Sequence, residues 1–574
     1  MTKKKTLALT ATAVAAVTAG AVGAAVLSGP DQVSAGRAAG HAAAADRAAA
    51  QASTQTPQSL RDRYPHGLRH DAVTKGVQRP AKARRLSAQA GVQVTLDVLD
   101  RHGKPAASQT LVEFYPLTGD DPFYTDLQNG HAEGELPAGQ YAVLTRVATA
   151  EQDGTTSSAL VYRPKVAITK AAKLVLDARE AKPIAATVDR ADARLLSGEV
   201  RVVQKIAGRP VVTSSMMELK DAYITPTGST PGLALDLQAV FTRKGAETGS
   251  PYVYNIVNRQ AGGVPQKPGL HVRTKDLAAV RTAYGTEGRP VCVGGHASPL
   301  WTEGGIRIGF YTGVGAGPIA RTEYYSPGIT WDIDWMNTTP DCGFEFDTTE
   351  VWRSEERFPK AGSYQRRLTP APFGPRNGVV IWNENEGGEP ALAIGTHSTG
   401  AGTSVMAPYP GATGTSVLRE ASGKIVYTYD QPGAAWNWPV PKPGKYSLTV
   451  DEERAAPFSP LAVRQHVVWH FAVRDDKVIK LPSLTYRTPL DAQSRAKAGA
   501  RQQVTMTTAR TGTAAPKLWA SSDDGKTWKA VTVTRNGNAW VATLTNPKVG
   551  FVSLRAAVAG VIDQTVIRAY AVHG

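Results

Sequence analysis

Ser404 stands in the run Gly402-Thr403-Ser404-Val405-Met406-Ala407-Pro408, seven residues after His397. A serine hydroxyl attacks only when a base is positioned beside it and a third group orients that base. Nearness in sequence supplies neither, and a Gly-x-Ser-x-Gly elbow is absent, so this stretch reads as a Gly/Ser/Pro loop. Trp382-Asn383-Glu384-Asn385-Glu386-Gly387-Gly388 sets an aromatic beside two carboxylates, the materials of a sugar cleft. A glycosidase needs its two carboxyls at a fixed separation across that cleft, and a polar loop ending in Gly-Gly is the simpler reading. His466 and His470 flank Val467, Val468 and Trp469. Alternation and β-branching predict a strand there, which puts the two rings on one face but about 13 Å apart, too far to ligate one ion. Trp331, Ile333 and Trp335 alternate with Asp332 and Asp334. Calcium would need a loop of oxygen ligands, so the aspartates read as a solvated face. No catalytic, metal or cofactor site is expected. Trp331, Trp335 and Trp382 are the candidate binding aromatics, because aromatic anchors dominate interface energy.

The elements that carry these residues are strands in an exported chain. Lys3-Lys4-Lys5 precedes an uncharged stretch from Thr6 to Leu27, and Val33-Ser34-Ala35 offers small residues before Gly36. That is the layout of a signal peptide over residues 1–35. The other reading is an uncleaved anchor, since about 22 uncharged residues just span a bilayer, and only then would a membrane be a partner. Cys292 and Cys342 are the two cysteines, and outside the cell one disulfide between them is expected. The formal charge is +16, but residues 1–90 hold 13 of the 65 Lys/Arg against 4 of the 49 Asp/Glu. The basic excess therefore sits mainly in a leader and linker. No basic stripe, zinc-finger spacing or recognition helix follows, which argues against nucleic acid as a partner.

Residues 36–90 read as a flexible Ala/Arg-rich linker or propeptide. Val92, Val94, Leu96 and Val98 then alternate with polar residues, a half-buried strand. Short strands joined by Gly/Pro turns follow to the end. Their spacing predicts an all-β chain of tandem immunoglobulin-like or transthyretin-like β-sandwich domains. The expected units are a small sandwich at 91–180, a larger β-rich domain with the disulfide at 181–375, a sandwich at 376–458 and a C-terminal sandwich at 459–574.

Ser521-Ser522-Asp523-Asp524-Gly525-Lys526-Thr527-Trp528 matches the Asp-box pattern. Asp523 can cap turn N–H groups, Gly525 can take a positive φ and Trp528 can pack beneath the hairpin. Asp-boxes occur in sialidases away from the catalytic cleft, so one copy (Ser521, Asp523, Gly525, Thr527, Trp528) indicates a structural hairpin only. Leu176 to Pro183, Arg321-Thr322-Glu323-Tyr324-Tyr325, Phe373-Gly374-Pro375, Ser521 to Trp528, Phe551 to Arg555 and Gln564 to Tyr570 form a wider set. Together they resemble the non-catalytic C-terminal β-sandwich region of long secreted subtilisin-like serine peptidases from Streptomyces and related actinobacteria. The resemblance covers most of residues 90–574, but a leader and linker stand where those proteins place the peptidase domain. Neither the Asp-Thr/Ser-Gly segment nor the His-Gly-Thr-His segment of such peptidases is present, and the residues after Ser404 depart from their order. No catalytic residue carries over. What the resemblance implies is an extracellular or cell-wall location and accessory or binding modules. The function expected is non-catalytic binding of an extracellular protein or cell-wall polysaccharide. The alternatives are a cryptic hydrolase around Ser404/His397 or Glu384/Glu386, and a structural subunit of a surface assembly.

Overall fold

The computed structural model describes residues 84–85, 91–107, 110–217, 219–301, 309–338, 342, 350–376, 379–381, 391–404, 411–436, 442–454, 459–474, 478–512 and 514–574. The signal region and the Trp382, Glu384 and Glu386 cluster lie outside the described residues. Every regular element among the described residues is a β-strand or a single 3-10 turn, so the chain is all-β.

Strand Val92–Leu99 buries Val94, Leu96 and Val98, as its alternation requires. It pairs with His131–Leu136 and Ala172–Asp177 in a three-stranded sheet. This packs on a seven-stranded sheet through Phe114, Val143, Val147, Ala159 and Val161. Each such fully buried side chain contributes about 1.5–3 kcal/mol. Ala222–Ile224 and Lys182–Pro183 are two of those seven strands, so the pairing of the sheet runs past residue 180.

Strand Gly139–Ala150 breaks simple alternation, because Tyr141 to Thr145 are buried without a gap. The physical reason is a second covering layer. Leu144, Leu160 and Tyr162 on the far face pack against Val200, Val202, Leu235, Leu237 and Phe241 of a second seven-stranded sheet. That sheet is in turn buried on its other face by a five-stranded sheet, through Ala278, Val280 and Tyr325 against Ala297, Trp331 and Ile333. A strand buried on both sides reads as a continuous run, and Leu233–Arg243 is buried at ten of its eleven positions. The Cys292–Cys342 disulfide, with Cα atoms 5.0 Å apart, ties the first residue of strand Cys292–Pro299 to the segment after strand Thr330–Thr338.

The C-terminal part is built on a nine-stranded sheet. Its order runs from Ile425–Tyr429 through Ala412–Glu420, Gly444–Arg454, Arg464–Val473, Ile562–His573, Phe551–Val558 and Lys517–Ser521 to Lys529–Val531, with Arg495–Lys497 beside Ile562–His573. Two four-stranded sheets accompany it. One apolar core, including Leu448, Val467, Trp469, Leu484, Val504, Leu554 and Val566, runs through this whole part. Gly444–Arg454 and Arg464–Val473 pair directly, so one sheet and one core join these two strands. Within the sheet Gly414 has φ +146°, and a Cβ there would lie 1.9 Å from the Asp451 carbonyl oxygen. Gly414→Ala is therefore expected to lower stability by at least about 1–3 kcal/mol from backbone strain alone, with the clash in addition. Urea denaturation followed by tryptophan fluorescence measures the change.

Candidate functional site

The outer face of the nine-stranded sheet gathers polar side chains from strands distant in sequence. Strand Arg464–Val473 turns Gln465, Val467 and Trp469 inward, which leaves His466 and His470 exposed and Val468 half-buried between them. In register, His466 stands opposite Asp451 on one side and Thr565 on the other. Thr565 is opposite Arg555, and Arg555 is opposite Trp519. One row thus crosses five strands as Asp451, His466, Thr565, Arg555 and Trp519. At a strand spacing of about 4.8 Å the row is roughly 19 Å long.

Ion pairs hold these side chains in place. His466 Nδ1 lies 2.5 Å from Asp451 Oδ1. Arg555 forks onto Asp563, with Nε 3.1 Å from Oδ1 and the terminal nitrogen 2.7 Å from Oδ2. That pairing raises the Arg555 pKa, and the guanidinium carbon sits 5.4 Å from the centre of the half-buried Trp519 ring. His466, Val468, His470, Arg555, Asp563 and Thr565 line a shallow concavity of about 390 Å³. It offers a guanidinium, two imidazoles, a hydroxyl and a carboxylate on a fixed lattice beside an indole face. These groups suit hydrogen bonding and stacking with a flat, hydroxyl-rich ligand.

The turn after the Trp519 strand is rigid. Ser521 Oγ donates to Asp523 Oδ1 at 2.6 Å, and Asp523 accepts the Thr527 N–H at 2.9 Å and its hydroxyl at 2.6 Å. The Ser521 and Thr527 hydrogen bonds hold the Asp523 carboxyl far below the usual carboxylate range. Gly525 has φ +83°, and Trp528 packs against it. Asp524 bridges to Arg568 at 2.8 Å, fastening the turn to strand Ile562–His573.

His397 and Ser404 are both buried. His397 Nδ1 lies 3.1 Å from Glu452 Oε1, and its Nε2 lies 3.4 Å from Gln465 Nε2. Its carbonyl accepts the Trp352 indole N–H at 2.7 Å, and its ring meets Phe373 edge-on at 5.4 Å between centres. The Ser404 N–H donates to Ser398 Oγ at 2.9 Å. Burial pushes the Glu452 carboxyl up to about 7 and drives His397 well below its ordinary value. Both shifts favour the uncharged forms, and His397, Glu452 and Ser404 are all buried.

Two expectations are corrected by burial. Trp331 and Trp335 are core residues and offer no contact surface. Trp331 packs edge-on to Tyr325, while Trp335 stacks on Trp352 with ring centres 4.3 Å apart. Asp332 and Asp334 are not solvated either, at 4% and 3% exposure. Arg353 reaches Asp334 at 2.7 and 2.8 Å and His296 reaches it at 3.0 Å. Burial raises the Asp334 carboxyl, but Arg353 and His296 outweigh that and hold it well below its ordinary value. His466 and His470 do share one strand face, as their spacing indicates. Arg555, Asp563, Thr565 and Trp519 were not singled out by sequence reasoning, because only strand register brings them to that face. The outward half of the 551–558 and 562–573 alternation is the signal that marks Arg555, Asp563 and Thr565, and no such signal marks Trp519.

Among the described residues no group of three or more His, Cys, Asp or Glu side chains is arranged to hold a metal ion. No helix among them is long and apolar enough to cross a membrane.

No family model matches the chain, and no curated protein matches it. Among solved structures, similarity extends to a putative adhesin from Bacteroides ovatus at 12% identity, covering 34% of this chain and 94% of that one, with a TM-score of 0.15. The Bacillus anthracis TIE protein matches at 10% identity over 68% of this chain and 72% of its own, with a TM-score of 0.11. The BSP domain of a biofilm associated protein matches at 8% identity over 86% of this chain and 99% of its own, also at 0.11. Likenesses at these TM-scores carry no argument about this chain.

Proposed function

We propose that this is a secreted, non-catalytic β-sandwich protein that binds a cell-wall polysaccharide on the outer face of its nine-stranded sheet. The observation that carries the reading is the cross-strand row Asp451, His466, Thr565, Arg555 and Trp519, ordered by ion pairs and open to solvent. A polymer of sugar rings presents hydroxyls at its edges and flat C–H faces, which match a forked guanidinium and an adjacent indole. A protein partner would favour an apolar anchor at the centre of the patch, and among the described residues Val468 is the only aliphatic one lining the concavity. The reading as a secreted accessory module rests on the leader and on the resemblance to the appendages of exported peptidases.

The full secreted chain should be retained on purified cell-wall polysaccharide. The Trp519→Ala/Arg555→Ala pair should weaken retention at least about tenfold, since losing two such contacts costs more than about 1.4 kcal/mol. Equal retention by the variant would remove this face from the account, and recovery of a secreted protein instead of polysaccharide would change the partner class.

A further inference from the structure

The junction between the five-stranded and nine-stranded sheets encloses more acid than base. Arg454 is buried, with its terminal nitrogens 3.1 Å from Glu287 Oε2 and 2.9 Å from Glu350 Oε1, both of them buried carboxyls. The guanidinium also donates to the Leu461 carbonyl and lies 5.4 Å from the centre of the Phe373 ring. Two residues earlier on the same strand, Glu452 meets His397. Thr286, next to Glu287, donates its N–H to the Ala492 carbonyl at 2.8 Å and accepts the Ser494 hydroxyl at 2.8 Å. Segments around residues 287, 350, 397, 454 and 494 are thereby joined at one place.

The titratable and charged groups facing this cluster from the described elements are Arg454, Glu287, Glu350, Glu452 and His397. Three carboxyls thus face one permanent cation and one imidazole. With His397 neutral, three ionised carboxylates and Arg454 would leave two net negative charges in a water-excluded interior, and bringing the cluster to neutrality takes two protons on its carboxyls. Burial, then the neighbouring Glu287, raise Glu350 well above the ordinary carboxyl range. Burial does the same for Glu452. We propose that the cluster is a proton-held clasp, which fastens the five-stranded sheet to the nine-stranded sheet while two protons remain on its carboxyls and loosens when alkaline pH removes them. A carboxyl whose folded-state pKa is raised stabilises fully below its unfolded value, and that contribution is lost as pH rises through the folded value. The loosening therefore lies on the neutral-to-alkaline side.

Hydrogen exchange on the full chain tests this. After correction for the intrinsic pH dependence, protection of residues 350–357 and 444–454 should fall at least about tenfold between about pH 6 and about pH 9, while residues 92–99 in the first sandwich keep theirs. In the Glu350→Gln/Glu452→Gln chain, whose amides cannot ionise, that fall should shrink to within about threefold. Unchanged protection in the natural chain, or a full fall in the double variant, overturns the proposal. The natural chain alone decides the first point should the variant not fold.

Discussion

Arg454→Met is expected to destabilise the C-terminal part of the chain by about 3–5 kcal/mol, the cost of leaving buried charge without its partner. Among the described residues Arg454 is the permanent cation paired with Glu287 and Glu350, and both carboxyls are almost fully enclosed. Methionine fills much of the same volume, so cavity formation contributes little, and the loss reports the stranded acids. Converting Glu287, the carboxyl left ionised in the cluster, to Gln in the same chain should recover a large part of it, because the burial penalty of an amide is far smaller than that of an ion. Urea midpoints of the transition reported by tryptophan fluorescence measure both effects. A loss below about 1 kcal/mol would mean that water reaches the cluster.

The second large effect concerns Glu323. Burial pushes this carboxyl up, but Arg321 and Arg366, with the Tyr284 and Tyr325 hydroxyls, outweigh burial and bring it down to about 2. Arg321 Nε lies 2.8 Å from Oε1 and the Tyr325 hydroxyl 2.6 Å from Oε2, with Arg366 and Tyr284 also bonded. A lowered carboxyl stabilises above its unfolded value near 4.5, and that contribution is lost as pH falls through about 2. The acid-side loss should therefore amount to about 3 kcal/mol between those limits. Glu323→Gln should abolish this loss, and at neutral pH it should cost about 3–5 kcal/mol by taking the buried carboxylate from Arg321 and leaving Arg366 with Glu356 as its acidic partner. Urea midpoints across an acidic pH series give both numbers. An unchanged acid limb in the variant would place the charge balance elsewhere.

Local patterns in the sequence carried the strands, but not how many layers cover them. Val92 to Val98 alternates and behaves as a half-buried strand should. Trp331, Ile333 and Trp335 also alternate with aspartates, yet both faces of that strand are enclosed, with Arg353 and His296 of the adjacent strands against the acidic one. Alternation reveals a strand and its two faces; it does not reveal that a charged face is covered when Arg353 and His296 come from other strands to neutralise it. The Arg454 cluster was illegible for the same reason, since Arg454 and Glu287 are 167 residues apart and meet only through sheet packing. The binding face was half legible. His466 and His470 declared a shared face through their spacing, whereas Thr565, Arg555 and Trp519 joined it through register alone. Aromatic identity was a misleading guide here, because the large rings of Trp331 and Trp335 fill the core.

The most direct test of the binding face is a hydrogen-exchange footprint of the full chain with and without purified cell-wall polysaccharide. Slower exchange in residues 464–473, 551–558 and 562–573, with no change in residues 92–99, is the predicted result. Binding that leaves those three strands unprotected, or that protects the first sandwich instead, would contradict it.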